Sequence, residues 1–366
     1  MTLSKKVLII ICATLIIMHF VLFYLSKNIL LQAFIKIEKD DTIINLKRSI
    51  YLINETVRHL DKITLDWSSW DDTYAFIKEV NKDYIASNLV DGTFIDLDLN
   101  LMAFFNNSHE IVYGTGFDID YEQKIPIPES LIRHISNKPL LLNHQAPSSF
   151  KKGIIMLPEG PLLVSSRPII TSEDRGPIRG TLIIGRYFDN NEISKLSNAM
   201  HVELNLVRID SLSKLPGINL ELFKSSDFYI RPLNERFIEG YALVKDIYYK
   251  PAFLLKITAI RAIYITGLEN LNTIRTGLLI ISILFTLFLI LLLNKYVISM
   301  LTYLNFHVKT IIKTEDLSKR IPMKGKDELA DLSYSFNEML STLENNQLSL
   351  RTSEERFKNF LNPRLM

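Results

Sequence analysis

Asp66-Trp67-Ser68-Ser69-Trp70-Asp71-Asp72-Thr73-Tyr74 is the stretch on which the fold turns. It holds both tryptophans of the chain. It also lies where a long periodic pattern, begun inside an apolar segment, gives way to short runs punctuated by glycine and proline. On a helix of 3.6 residues per turn, Trp67, Trp70 and Tyr74 share one face, Asp66 and Asp71 flank it, and Asp72 points away. Such a stripe reads first as domain core. The functional reading makes Trp70, Asp71 and Tyr74 one wall of a pocket, closed by a strand residue such as Arg167. A guanidinium there suits a carboxylate or another small anion, with a neutral ligand left open.

Upstream, Ile43, Leu46, Ile50, Ile53, Val57, Leu60, Thr64 and Trp67 recur at alternating spacings of three and four. This seam fits either a coiled coil that pairs two copies or one amphipathic helix packed on its own domain. Trp67 belongs to the seam and so to the relay of any signal. Further upstream, Val7 to Leu25 carries no formal charge and, at 1.5 Å per residue, nearly spans a hydrocarbon core of roughly 30 Å. Gly277 to Leu293 is a second charge-free run, bounded by Arg275 and Lys295. A signal peptide is the weaker reading of the first run, which is long, lacks a small-x-small cleavage site and continues as a periodic helix. Lys5 and Lys6 before the first run, and Lys295, Lys309 and Lys313 after the second, place both termini in the cytoplasm. The expected location is the plasma membrane, crossed twice, with residues 27–275 outside.

The 366 residues allow two or three modest domains, and a net charge of +2 argues against general nucleic-acid binding. The one cysteine, Cys12, lies in the first span, so the outer domain must stand on its apolar core without a disulfide. His59, His109, His134, His144 and His201 offer no i, i+4 pair, and Asp71 and Asp72 diverge by about 100° on a helix. Neither a metal nor a cofactor is expected.

Downstream, Asn88 to Gly92 reads as a turn. Leu101 to Phe105 and Ile111 to Tyr113 flank Asn106-Asn107-Ser108-His109 as a hairpin. Glu129 to Ile135 reads as a short helix. Leu162 to Ser165, Pro168 to Ile170 and Gly180 to Phe188 read as separate strands, Glu192 to Met200 as a helix, and Val202 to Arg208, Phe237 to Val244 and Phe253 to Ile260 as further strands. Leu268 to Ile274 leads into the second span. This order predicts an α+β domain around a central antiparallel sheet.

The tryptophan stretch, followed by Asn88-Leu89, resembles the hallmark of the fourth type of CHASE domain, an extracytoplasmic sensor module of prokaryotic signalling proteins. Gly160 to Ile169, Gly176 to Leu182 and Leu254 to Tyr264 resemble its later strands, although Ile260 precedes Arg261 where the family often has proline. The resemblance covers about residues 40–265 and implies a PAS/Cache-like sensor of a small molecule. After the second span, Val297, Leu301, Leu304, Val308 and Ile311, and then Leu329, Leu332, Phe336, Met339 and Leu343, form two seams that need a partner to bury them. With Asp316 to Pro322 between them and Asp327-Glu328 opening the second, they resemble a HAMP domain, an all-α four-helix bundle made by a dimer. Met300 stands where that family usually has proline, and Glu315 where it often has glycine. Thr352 to Leu361, with a capping box from Thr352 to Glu355, looks like the start of a PAS domain before Asn362 to Met366.

The organisation expected is therefore 1–6 cytoplasmic, 7–26 first span, 27–275 sensor, 276–296 second span, 297–350 HAMP and 351–366 PAS-like start. No catalytic residue is assigned. His307 lacks the acidic neighbour of a phosphoacceptor, and neither an ATP-lid, a cyclase loop, a Walker loop nor an HExxH occurs. The expected protein is a homodimeric membrane receptor that senses an unknown small ligand. It passes the signal through Trp67, Leu301, Leu304, Glu328, Leu332, Phe336 and Met339 to a cytoplasmic output or signalling partner of kinase or cyclase type. An output-less partner of a full-length receptor, or the remnant of a broken receptor gene, is the other reading.

Overall fold

The structure, a computed structural model, describes residues 3–322, 325 and 327–361. Residues 362–366 lie outside it. The chain divides into two compact units, Leu31–Leu268 and the segments before and after it.

The Leu31–Leu268 unit begins within α1 (Leu3–Ser68). Three short helices follow, α2 (Asp71–Phe76), α3 (Lys82–Asn88) and α4 (Asp91–Asp96). One antiparallel sheet was expected, and there are two. The first has the order β3-β2-β1-β6-β5-β4, built from β1 (Leu101–Asn106), β2 (Ile111–Asp118), β3 (Gln123–Ile125), β4 (Lys151–Met156), β5 (Pro161–Ile169) and β6 (Gly180–Tyr187), with α5 (Glu129–Asn137) in the β3–β4 connection. The second has the order β7-β10-β9-β8, from β7 (Glu203–Arg208), β8 (Phe228–Pro232), β9 (Phe237–Lys245) and β10 (Pro251–Ile260), with α6 (Asn190–Met200) joining the sheets. Pro168 does not split a strand. β5 pairs with β4 only from Pro161 to Ser166, so Pro168 lies where β5 has β6 alone as a neighbour and one side needs no donor.

α1 is the common spine. Leu46, Ile53, Val57 and Leu60 share one core with Phe104, Leu163 and Leu182 of the first sheet and with Phe253, Leu255 and Ile257 of the second. The seam is therefore buried in its own domain, as an amphipathic helix and not as a coiled coil. The physical reason lies in its period. The buried row is Glu38, Thr42, Leu46, Ser49, Ile53, Val57, Leu60, Thr64 and Ser68, stepping four, four and three. That is eleven residues in three turns, close to the period of a straight helix, and not the seven in two that forces a left-handed supercoil. Ile43 and Ile50, seam positions by the heptad count, are only half-buried. The row tolerates hydroxyls because Thr42, Ser49 and Thr64 donate to the carbonyls of Glu38, Asn45 and Leu60 on their own helix. The opposite face of the first sheet is also covered: Leu101, Ala103, Val164 and Ile183 pack on Leu131 and Ile135 of α5.

The other unit contains the start of α1, most of α7 (Ala262–Leu293), a π-helical turn at Asn294–Ile298, α8 (Ser299–Thr314) and α9 (Glu328–Leu361). α1 and α7 each carry a stretch apolar and long enough to cross a membrane, with mean hydropathy 2.7 and 2.9 and no part of either window buried. Between α8 and α9, Ile311, Ile321 and Leu340 form a small core with Leu304, Val308, Leu317 and Phe336. α9 runs unbroken through Thr352, whose hydroxyl donates to the Leu348 carbonyl of its own helix, so no capping box opens a new element there.

Candidate functional site

The tryptophan stretch is not one helix. α1 ends at Ser68, and Trp70 is extended (φ −131°, ψ 131°) before α2 starts at Asp71. The break is held from the β5–β6 connection: the Ile170 N–H donates to the Ser68 carbonyl at 2.9 Å. The Asp71 N–H donates to Ser172 Oγ at 3.0 Å, and the Ser172 N–H donates back to Asp71 Oδ1 at 3.1 Å. Tyr74 serves the same connection. Its hydroxyl donates to the Pro177 carbonyl at 3.1 Å, Arg179 lies 3.7 Å over its ring, and Arg179 Nη1 donates to its carbonyl. Asp71 and Tyr74 thus latch the end of the spine to the loop between two central strands. A helical wheel could not show this, because it assumes a continuous helix.

Trp70 is turned elsewhere. It lines a groove of about 640 Å³ with Asp72, Phe76, Glu79, Asp83 and Tyr84, all from α2, α3 and their connection. The Trp67 ring meets Trp70 edge-on at 6.0 Å, and Tyr84 lies 6.0 Å on from Trp70. Phe76 stacks on Tyr84 at 4.4 Å. Burial pushes the Tyr84 phenol up to about 12, against the opposing effect of its 2.7 Å hydrogen bond with Thr73, so it stays neutral.

The structure does not bring Arg167 to that groove. Its Nε and Nη2 donate to the two oxygens of Asp61 on α1, at 2.8 and 2.9 Å. Lys152 and Ser165 donate to the same carboxylate at 2.9 and 3.0 Å, and Phe150 covers both cations. Burial raises the Asp61 pKa, but the bonds from Arg167 and Lys152 outweigh it and hold the carboxyl below its ordinary 3.8. Asp61 was not singled out by sequence. The signal was present, since Asp61 directly follows Leu60 of the buried row.

Of the residues expected to relay a signal, Trp67 is half-buried against the core of the Leu31–Leu268 unit, and Leu304 and Phe336 enter the α8–α9 core, with Leu301 half-buried. Glu328 is exposed in the first turn of α9, and Leu332 and Met339 remain 49% and 46% exposed, so part of the second seam is uncovered within one chain. Glu315 ends α8 in the left-handed conformation (φ 52°), which accounts physically for glycine suiting that position.

Comparison with known proteins places these features. Residues 52–207 match the CHASE4 domain. The match begins within the spine and closes on β7, so the latch, the groove and the Asp61–Arg167 pair all fall inside the CHASE4 segment. Over 311 residues the chain is 30% identical to the methanogenesis regulatory histidine kinase FilI of Methanothrix harundinacea (strain 6Ac), covering 85% of this chain. It spans about a third (34%) of that relative's length. Among solved structures, the extracellular domain of vpHK1S-Z8 aligns at 12% identity and a TM-score of 0.46, covering 66% of this chain and 99% of that one. The periplasmic domain of Vibrio cholerae LuxQ aligns at 12% identity and a TM-score of 0.36, covering 61% and 99%.

Proposed function

We propose that the chain is the sensing part of a two-pass membrane receptor. Its CHASE4 unit lies outside, both flanking segments reach the cytoplasm, and a HAMP-type pair of helices relays the signal as a homodimer to a kinase- or cyclase-type output. The observation that supports this best is that one helix, α1, carries both the 7–25 apolar run and the buried row on which both sensor sheets rest. A change in how the sheets grip the row is then a movement of the membrane-crossing helix itself, and ligand preference for one of two packings sets the output.

The uncovered positions of α9 supply the test. With Cys12→Ser as background, Met339→Cys and Leu332→Cys in native membranes should cross-link between copies under mild oxidation, whereas Glu338→Cys, off the seam, should not. Equal cross-linking at all three positions, or none, argues against a HAMP-like pairing. Trp70, Asp71, Tyr74 and Arg167 remain the proposed sensing residues, now with distinct parts: Trp70 at the ligand, Asp71 and Tyr74 at the latch, and Arg167 at the contact with the spine.

A further inference from the structure

We propose that the groove beside Trp70 binds a small organic cation, an ammonium group seated against the indole ring and balanced by Asp72, Glu79 and Asp83. This rests on the sensor reading and adds the chemical class of the ligand. Three features of the groove argue for it.

The first is the wall. Indole is the aromatic ring that attracts a cation most strongly, and Trp70 is fixed on two sides, by the edge-on ring of Trp67 and by Tyr84. A ring held in place loses little freedom when a ligand settles on it. The second is charge. Among the described residues, Asp72, Glu79 and Asp83 make no ion pair, and the cations of the same segment, Lys78 and Lys82, do not line the groove. An anionic ligand would meet three carboxylates, so the anion chemistry suggested by Arg167 does not extend here. Arg167 is itself spent on Asp61. The third is size. About 640 Å³ falls within the range of small-molecule sites, and among the described residues no group of three His, Cys, Asp or Glu side chains could hold a metal ion. An organic cation matches both the apolar floor and the charged rim.

The location gives the ligand a route to the spine. Trp70 is two residues past the end of α1, in the extended break that the β5–β6 connection pins through Ser68 and Asp71. A cation held across α2 and α3 therefore bears on the end of the same helix that carries the buried row.

The test uses the full chain in lipid nanodiscs. Trp67 and Trp70 are its only tryptophans, so intrinsic fluorescence reports the site directly. Tetramethylammonium chloride, titrated at ionic strength held constant with sodium chloride, should change the emission saturably. Neopentyl alcohol, of similar size but neutral, should not. The pair Asp72→Asn and Asp83→Asn removes surface charge while keeping shape, and should weaken the tetramethylammonium response about tenfold. An equal response to the alcohol, no saturable response, or unchanged affinity in the double variant would each overturn the proposal. If tetramethylammonium fails while the Met339 and Leu332 cross-links form as expected, only the cation assignment falls; if the cross-links fail as well, the receptor reading falls with it.

Discussion

Arg261, the residue between β10 and α7, holds Glu38 of α1 through three hydrogen bonds of 2.9–3.2 Å, with both side chains more than nine-tenths buried. Its remaining nitrogen donates to the Asn234 carbonyl, and the Tyr264 ring lies 3.8 Å from the guanidinium. The pair ties the helix that enters the sensor unit to the helix that leaves it. A few residues on, Gly267 of α7 sits so close to Phe34 that an added Cβ would fall 2.6 Å from its ring. Removing one partner strands the other charge in a dry site, so Glu38→Ala or Arg261→Ala should each lower stability by about 3–5 kcal/mol. Replacing both by Met should recover most of that loss. Tryptophan-monitored unfolding of the full chain in detergent decides the matter, and single variants that unfold like the parent would show that the pair is not structural.

Asp61 gives the spine its second charged anchor, with an acid dependence of definite sign. Its folded pKa lies below the ordinary 3.8, so its contribution is complete above that value and is lost as pH falls through the lower folded value. Asp61→Asn should remove this acid-sensitive part and leave Arg167 and Lys152 facing each other without a carboxylate. The variant should be less stable than the parent at neutral pH, and the gap should narrow as pH drops below 3.8. A gap that is constant from neutral pH down to the acid limit would contradict the assignment.

The period of the spine separates two faces that composition cannot. Leu46 has no exposed surface and Ile44, two residues away, is 45% exposed. Leu46→Ala should cost about 2–5 kcal/mol, while Ile44→Ala should stay within about 0.5 kcal/mol. Gly240→Ala tests the same packing from the sheet, where a Cβ would lie 2.6 Å from Thr42 and 3.1 Å from Leu46, and should cost about 1–3 kcal/mol. Unfolding midpoints in urea give all three. Comparable losses at positions 44 and 46 would instead mean that both faces are covered.

His144 adds a dependence in a different pH range. Burial lowers its pKa from 6.5 to about 4, helped by Lys151 and Arg167 and opposed by its contact with the Leu141 backbone. Its ring nitrogens face Ser149 and Ser166. The folded chain thus takes up the proton less readily than the unfolded one, so stability should rise with pH between about 4 and 6.5 and level off above. His144→Gln should flatten that slope in a series of melting temperatures, with a residue of it left by His134, whose pKa burial also lowers.

What the sequence disclosed follows from which features are local. The hairpin of β1 and β2, the start of β6 at Gly180, the end of α6 at Met200 and the two apolar runs are all set by short-range alternation, turn residues or continuous hydropathy, and the structure has them where those signals place them. The break at Trp70 was not legible, because Ser69 and Trp70 carry no helix-stopping residue and the hydrogen bonds that hold the break come from Ile170 and Ser172, a hundred residues away in sequence. The partner of Arg167 was hidden for the same reason. β3, β4 and β8 are not legible: β3 is only three residues long, β4 opens with two lysines and a glycine, and β8 is a short edge strand with no buried residue. Two sheets looked like one because strand runs reveal elements but not which of them share hydrogen bonds.

One amide of α9 clamps the connector that follows α8 at Ile321. Asn337 accepts from the Ile321 N–H at 2.8 Å and donates to the Ile321 carbonyl at 3.1 Å, so one side chain satisfies both backbone groups of an extended residue. That residue cannot do without them, since Ile321 is 2% exposed, wedged between Ile311 and Leu340, and cannot turn its backbone to water without leaving the core. Asn337→Ala should therefore cost about 1–3 kcal/mol locally, because it leaves the buried Ile321 N–H unpaired and its carbonyl with only the longer 3.4 Å bond from the Ser333 hydroxyl. Asn337→Asp, which keeps the acceptor and loses the donor, should fall between the two. Glu344→Gln is the control, because its bridge to Arg320 is about one-third exposed on both sides and contributes little. Hydrogen exchange across Asp316–Ile321 reads the difference directly: local opening should be about tenfold more frequent for each 1.4 kcal/mol lost, in the alanine variant and not in the glutamine one. Equal protection in both would mean that the connector is held by its apolar side chains alone, with the Asn337 clamp incidental.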